Sequence, residues 1–206
     1  MTTRIKFCGI TRSEDAQQAV ELGVDALGFV FYGPSPRNID VAVAAEIMTT
    51  LPAFVTSVAL FVNATAEQVE QVIQLTNVDL LQFHGDESPE DCQQFGRPYI
   101  KAIRMRPDVD LAAEAERFSR SRGLLVDSYQ QGVPGGTGET FNWDYVPGNL
   151  SLPIILAGGL HAGNVSSAIR SARPYAVDVS GGIESSKGIK DTHKMREFVS
   201  EVKRLE

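Results

Sequence analysis

The strongest constraint on this chain is an alternation. Apolar runs of strand length stand at 5–8, 26–31, 55–62, 78–83, 99–103, 123–126, 154–157 and 176–179, and an amphipathic stretch follows almost every one. Several runs are unbroken Val, Ile, Leu and Phe, the pattern of parallel strands covered on both faces. Helical candidates lie near 13–22, 40–50, 65–75, 88–95, 110–121, 161–172 and 190–204. Ser13 with Glu14 and Asp15, Thr65 with Glu67, and Ser88-Pro89-Glu90 mark helix starts, with acidic groups set to complement the helix dipole. Between the sixth and seventh runs comes a polar, Gly-rich segment, 128–140, with at most a short helix near 141–145.

Eight strands with intervening helices predict a single (β/α)8 TIM barrel of parallel strands, one domain over residues 1–206. The rival is an open doubly wound sheet, which usually has five to seven strands and a GxGxxG loop after the first; no such loop follows 5–8. A net charge of −7 argues against a general nucleic-acid or anionic-membrane binder, but leaves an anionic small substrate open. The two cysteines, Cys8 and Cys92, fit neither a disulfide framework nor a zinc site, and no metal-ligand spacing occurs elsewhere. With no signal-peptide core and no apolar run of spanning length, a soluble, cytoplasmic protein is expected.

Chemistry in a parallel α/β protein sits where strands end. Strand side chains alternate, so Lys6 and Cys8 share one face of the first strand while Ile5 and Phe7 take the other. The apolar pair suits the helix layer, which leaves Lys6 and Cys8 pointing into the barrel. A neighbouring ammonium is expected to lower a thiol from its usual pKa of about 8.5 and supply thiolate. The plain alternative is a small buried core cysteine. On the sixth strand, Leu124-Leu125-Val126-Asp127-Ser128 ends in a carboxylate. Asp127 either caps a turn or points inward, where a carboxyl short of water can hold a proton for general-acid work.

The seventh and eighth strands end in Ala157-Gly158-Gly159-Leu160 and Val179-Ser180-Gly181-Gly182-Ile183. Paired Gly-rich loops after the last two strands are the usual phosphate site of this fold, although either alone reads equally as a tight turn. GxxxxGK[ST] is absent, so a nucleoside triphosphate is not expected. Gly33-Pro34-Ser35-Pro36-Arg37 forms a stiff loop after the second strand. Its arginine either grips a carboxylate bidentately or is solvated. In Gln82-Phe83-His84-Gly85, His84 either touches substrate hydroxyls or pins the loop. His161 and His193 fall on helical candidates and receive no role.

Taken together, these residues resemble a known family. Lys6-Phe7-Cys8-Gly9-Ile10-Thr11, Ser35-Pro36-Arg37, Gln82-Phe83-His84-Gly85, Val126-Asp127, Ala157-Gly158-Gly159-Leu160 and Val177-Asp178-Val179-Ser180-Gly181-Gly182-Ile183-Glu184 resemble phosphoribosylanthranilate isomerases of tryptophan biosynthesis. The resemblance implies a cofactor-free Amadori rearrangement of N-(5-phosphoribosyl)anthranilate to 1-(2-carboxyphenylamino)-1-deoxyribulose 5-phosphate. By the same resemblance Cys8 is the general base and Asp127 the general acid. Arg37 holds the anthranilate carboxylate, and His84 and Asp178 contact the sugar. Gly158, Gly159, Ser180, Gly181 and Gly182 hold the phosphate. The partner implied is a small phosphosugar; no metal and no obligate protein partner are readable. One departure stands out: Gly181 occupies a position where many relatives are expected to carry a second serine, which leaves Ser180 as the hydroxyl of that loop.

Two rivals stay open from the residues. One is a phosphosugar aldolase with a Schiff-base lysine, for which Lys101 on the fifth strand is the residue to suspect. The other is a non-catalytic barrel that only binds a phosphorylated ligand or a partner protein.

Overall fold

A computed structural model describes residues 2–106, 108–128 and 142–205. Eight parallel strands close on themselves: β1 (Arg4–Cys8), β2 (Ala26–Val30), β3 (Thr56–Phe61), β4 (Leu80–Phe83), β5 (Tyr99–Met105), β6 (Leu124–Ser128), β7 (Ile154–Leu156) and β8 (Ala176–Val179). Each pairs with the next, and β8 returns to β1. The helices are α1 (Ser13–Glu21), α2 (Val41–Thr49), α3 (Ala66–Thr76), α4 (Pro89–Gln93), α5 (Leu111–Arg117), α6 (Val165–Ala172) and α7 (Thr192–Lys203). The architecture is a (β/α)8 barrel, not an open sheet. Of the Gly-rich segment expected at 128–140, residues 129–141 lie outside the described residues. The short helix expected near 141–145 is a 3-10 turn at Trp143–Tyr145.

Local chemistry explains most of the boundaries. Thr65 caps α3 in a reciprocal box with Gln68, and Ser88 caps α4 in a box with Asp91, followed by Pro89 at the first helical position. Ser13 does not cap α1; Arg12 stands at the cap with no side-chain bond, and Ser13 is the first helical residue. Two helices are shorter than their apolar patterns: α5 stops at Arg117, and α6 begins only at Val165. After β8 the chain adds a small antiparallel hairpin absent from the sequence reading, β9 (Glu184–Ser186) with β10 (Ile189–Lys190).

Strand alternation sorts the side chains as expected. Ile5, Phe7, Leu27, Phe29, Phe61, Leu81, Leu124, Leu156 and Val177 face the helices, and Phe7 meets Phe198 of α7 edge to face at 6.1 Å. Burying each such side chain is worth roughly 1.5–3 kcal/mol. That outer layer carries the stability, so the barrel interior can hold polar groups at its mouth. Inside, Ile100, Ala102, Leu125, Ile155, Ala157 and Ala176 pack as one cluster, and Cys8, Val30 and Leu60 as another near the strand C-termini.

Candidate active site

A cavity of about 610 Å³ opens at the C-terminal ends of the strands. Cys8, Arg37, His84, Asp127, Asp178, Gly158, Gly159, Ser180, Gly181 and Gly182 all line it. A groove of similar size, about 670 Å³, runs between α4 and the end of α5, but its charged groups, Glu90, Arg117 and Arg120, are exposed. Exposed charges are screened and keep ordinary chemistry. The mouth, where charges are buried, is the candidate site.

On β1 the inward pair is as the alternation predicts: Lys6 and Cys8 are each 5% exposed. Lys6 Nζ donates to Asp178 Oδ1 at 2.8 Å, across the seam where Lys6 registers with Asp178. Cys8 registers with Gly28 of β2. A Cβ at Gly28 would lie 2.9 Å from the Cys8 sulfur and 3.0 Å from Lys6 Nζ, so glycine is what admits both groups. The expected thiol activation by Lys6 does not prevail. Burial pushes the Cys8 thiol up, and this outweighs the lowering by Lys6 and Lys190. Lys6 is close enough to act on the sulfur, but its charge is already shared with Asp178.

The opposite side of the mouth is built from β4 and β6. Asp127 is 4% exposed; its Oδ1 accepts from the Ser128 N–H at 2.8 Å, and its Oδ2 stands 3.2 Å from His84 Nε2. Asp127 thus points inward and also holds its own strand end. His84 Nδ1 shares a hydrogen bond with Gln82 Nε2 at 3.1 Å, and the His84 carbonyl accepts from Arg104 at 3.0 Å. Gln82 Oε1, His84 Nε2 and Ser128 Oγ are buried without a well-aligned hydrogen bond among the described residues. Buried polar atoms left this way are costly, and in a cavity wall they are placed to bond a group that enters it.

The glycine loops fit their neighbours tightly. Gly158 has φ +84, and a Cβ there would meet the Ser128 nitrogen at 2.5 Å and Asp127 Oδ1 at 2.8 Å. A Cβ on Gly182 would lie 1.9 Å from the Leu160 carbonyl, so the loops after β7 and β8 are packed against each other. The hydroxyl of Ser180 is buried and unpartnered among the described residues.

Arg37 is not a solvated surface arginine. Its Nε and Nη2 donate to Glu184 Oε1 and Oε2 at 2.7 and 2.8 Å. Glu184 also accepts from Lys190 Nζ at 2.9 Å. Sequence reasoning gave neither partner a role. Glu184 stood at the end of a quoted motif and Lys190 inside a helical candidate, while the structure puts Lys190 on β10. His161 lies ahead of α6 and lines the cavity, contrary to its helical placement. His193 is on α7, exposed, 3.4 Å from Glu197.

Lys101 does not suit a Schiff base. It faces the helix side of β5, donates to the Gly85 carbonyl at 2.6 Å and pairs with Glu87 at 2.9 Å, outside the mouth cavity. Among the described residues no group of three or more His, Cys, Asp or Glu is placed to hold a metal ion, and no helix is long and apolar enough to cross a membrane.

Comparison with known proteins agrees with this geometry. Residues 5–201 match the model of the N-(5'phosphoribosyl)anthranilate (PRA) isomerase family. N-(5'-phosphoribosyl)anthranilate isomerase of Pseudomonas putida (strain GB-1) is 57% identical over 200 residues, covering 97% of each chain. The crystal structure of phosphoribosyl anthranilate isomerase from Thermotoga maritima superposes with a TM-score of 0.90 at 38% identity, covering 98% of this chain and 100% of that one. A crystal structure of phosphoribosyl anthranilate isomerase in complex with reduced 1-(o-carboxyphenylamino)-1-deoxyribulose 5-phosphate superposes with a TM-score of 0.87 at 35% identity, covering 98% and 100%. A barrel whose mouth gathers a thiol, a carboxyl, an arginine and two glycine loops, and whose sequence matches over nearly its whole length, therefore belongs to the phosphoribosylanthranilate isomerase family, enzymes of tryptophan biosynthesis.

Proposed function

We propose that this single barrel domain converts N-(5'-phosphoribosyl)anthranilate to 1-(2-carboxyphenylamino)-1-deoxyribulose 5-phosphate without a cofactor, using Cys8 as general base and Asp127 as general acid. The observation that carries the reading is that both groups are buried in the wall of one cavity, at the ends of β1 and β6, with the two glycine loops between them. Asp127 delivers a proton to the ribose ring oxygen as the C1'–O4' bond breaks, which leaves an imine. Cys8 takes the C2' proton, and the electron pair moves to form an enolamine. The change is complete when C1' gains a proton and the C2' hydroxyl loses one to become the ketone. No electron leaves the substrate, so the reaction needs no redox partner. Each positioned acid or base typically contributes ~10²–10⁴-fold.

The remaining groups hold the ends of the substrate. Arg37 takes the anthranilate carboxylate, and the backbone around Gly158-Gly159 and Ser180-Gly181-Gly182 takes the phosphate. His84 and Asp178 contact the sugar. With Gly181 lacking a hydroxyl, the buried Ser180 Oγ and the loop N–H groups supply the donors. The test is a turnover assay with freshly made phosphoribosylanthranilate, followed by loss of anthranilate fluorescence. Absence of turnover by the folded wild-type protein overturns the proposal.

A further inference from the structure

Arg37 carries five N–H donors in a planar fork with two bidentate edges. Glu184 occupies one edge through Nε and Nη2. The other edge, Nη1 with the second N–H of Nη2, remains on a side chain that lines the cavity. Its aliphatic stem lies over Gly9, where a Cβ would come within 2.6 Å of Arg37 Cδ. Glu184 is fixed in turn by Lys190, whose side chain is 0% exposed. The Lys190 ammonium also donates to the Cys8 carbonyl at 2.6 Å and the Ser180 carbonyl at 3.3 Å, and its backbone N–H donates to Asp15 at 3.1 Å. One buried cation thus touches the strand end that carries the thiol, the loop after β8, and the carboxylate that holds Arg37.

The charges of this cluster do not cancel. Arg37 and Lys190 are two cations against the single carboxylate of Glu184, whereas Lys6 and Asp178 beside them balance each other. Burial works against ionisation of Glu184, yet the bonds from Arg37 and Lys190 overcome it and leave its pKa below the usual carboxylate value. Two cations on one carboxylate leave a local positive excess, burial works against the Lys190 charge, and an anion at the free edge of the half-buried Arg37 offsets that excess. The chain as a whole is at −7, so this positive spot is local.

We propose that Glu184 and Lys190 are positioning residues that present the second edge of Arg37 to the carboxylate of the aryl amine. They thereby set the enzyme's preference for a carboxylate-bearing aryl amine over one without that group. The proposal rests on the reading of Arg37 as the carboxylate clamp. Without Glu184 the guanidinium keeps its charge but loses its aim, so binding of the carboxylate weakens while the acid and base keep their places.

The test compares N-(5'-phosphoribosyl)anthranilate with N-(5'-phosphoribosyl)aniline, which lacks the carboxylate. Glu184→Gln is expected to raise KM for the anthranilate compound by at least about tenfold with kcat within about threefold, and to lower the preference by at least about tenfold. Glu184→Asp restores part of it. In an Arg37→Ala background, Glu184→Gln adds less than about twofold, because its route of action is gone. Equal losses on both substrates, or full additivity with Arg37→Ala, overturn the proposal. If Glu184→Gln does not fold, Glu184→Asp and Lys190→Gln are read in the same way, and an unaltered preference in both overturns the proposal. A wild-type enzyme with no preference, or one whose preference survives Arg37→Ala, overturns the clamp reading itself, which is a separate result.

Discussion

The two sides of the barrel mouth are built differently. Where β8 meets β1, every charge has a close partner: Lys6 with Asp178, and Arg37 and Lys190 with Glu184, all at 2.7–2.9 Å. Across the mouth, on β4 and β6, Gln82, His84 and Ser128 have buried polar atoms without a well-aligned hydrogen bond among the described residues, and His84 Nε2 stands 3.2 Å from Asp127 Oδ2. The first side is a fixed frame, since paired buried charges move only at a cost. Among the described residues the second side is short of partners, so its groups can change hydrogen bonds when a substrate arrives. The proposed base, Cys8, stands on the paired side beside Lys6, and the proposed acid, Asp127, on the other, so the two proposed proton-transfer groups have opposite surroundings.

Substitutions can break or sharpen that contrast. The largest expected effect is on chemistry: Cys8→Ala and Asp127→Asn should each lower kcat by at least ~10²-fold while circular dichroism and thermal melting stay close to wild type. Wild-type-like turnover in both would remove the acid–base pair. Next comes the frame. Lys6→Met leaves Asp178 buried and alone, with an expected loss of about 3–5 kcal/mol in urea unfolding. Lys6→Met with Asp178→Asn should recover most of that loss. If the single and double variants are equally stable, the pair is not part of a frame.

The pH dependence follows from the thiol. Burial holds Cys8 protonated above the ordinary thiol range, and a protonated thiol cannot accept the C2' proton. The ratio kcat/KM should therefore rise with pH from neutral into the alkaline range, at up to about tenfold per unit below the thiol pKa. A flat profile would mean that the thiolate is already present at neutral pH. The smallest effect is expected on the unmatched side. Gln82→Leu removes the amide that donates to His84 Nδ1 and leaves that nitrogen buried without its bond, so its stability cost should be about 1–3 kcal/mol. A loss comparable with that of Lys6→Met would erase the distinction between the two sides.

Much of the site could be read along the chain because strand alternation is local. Lys6 and Cys8, Gln82 and His84, and Asp127 after Val126 point inward for the same reason that Phe7, Phe83 and Val126 point outward. The steric role of Gly28 carried a signal that went unused, a glycine in the middle of an apolar strand. Glu184 as the partner of Arg37 had none, being 147 residues away in sequence. His161 was misplaced because the pattern of α6 extends ahead of the helix, and the loop before Val165 turns that residue toward the cavity.

The sequence by itself determined the eight strands, the barrel and the identity of the groups at the strand ends, since each follows from neighbours in the chain. Tertiary structure alone decided how those groups are paired and how far the Cys8 thiol is desolvated. Barrel closure sets Lys6 against Asp178, the hairpin after β8 brings Lys190 under Glu184, and burial outweighs two nearby cations at the Cys8 thiol. Pairing and desolvation depend on distances between residues remote in sequence, and the folded barrel is what fixes those distances.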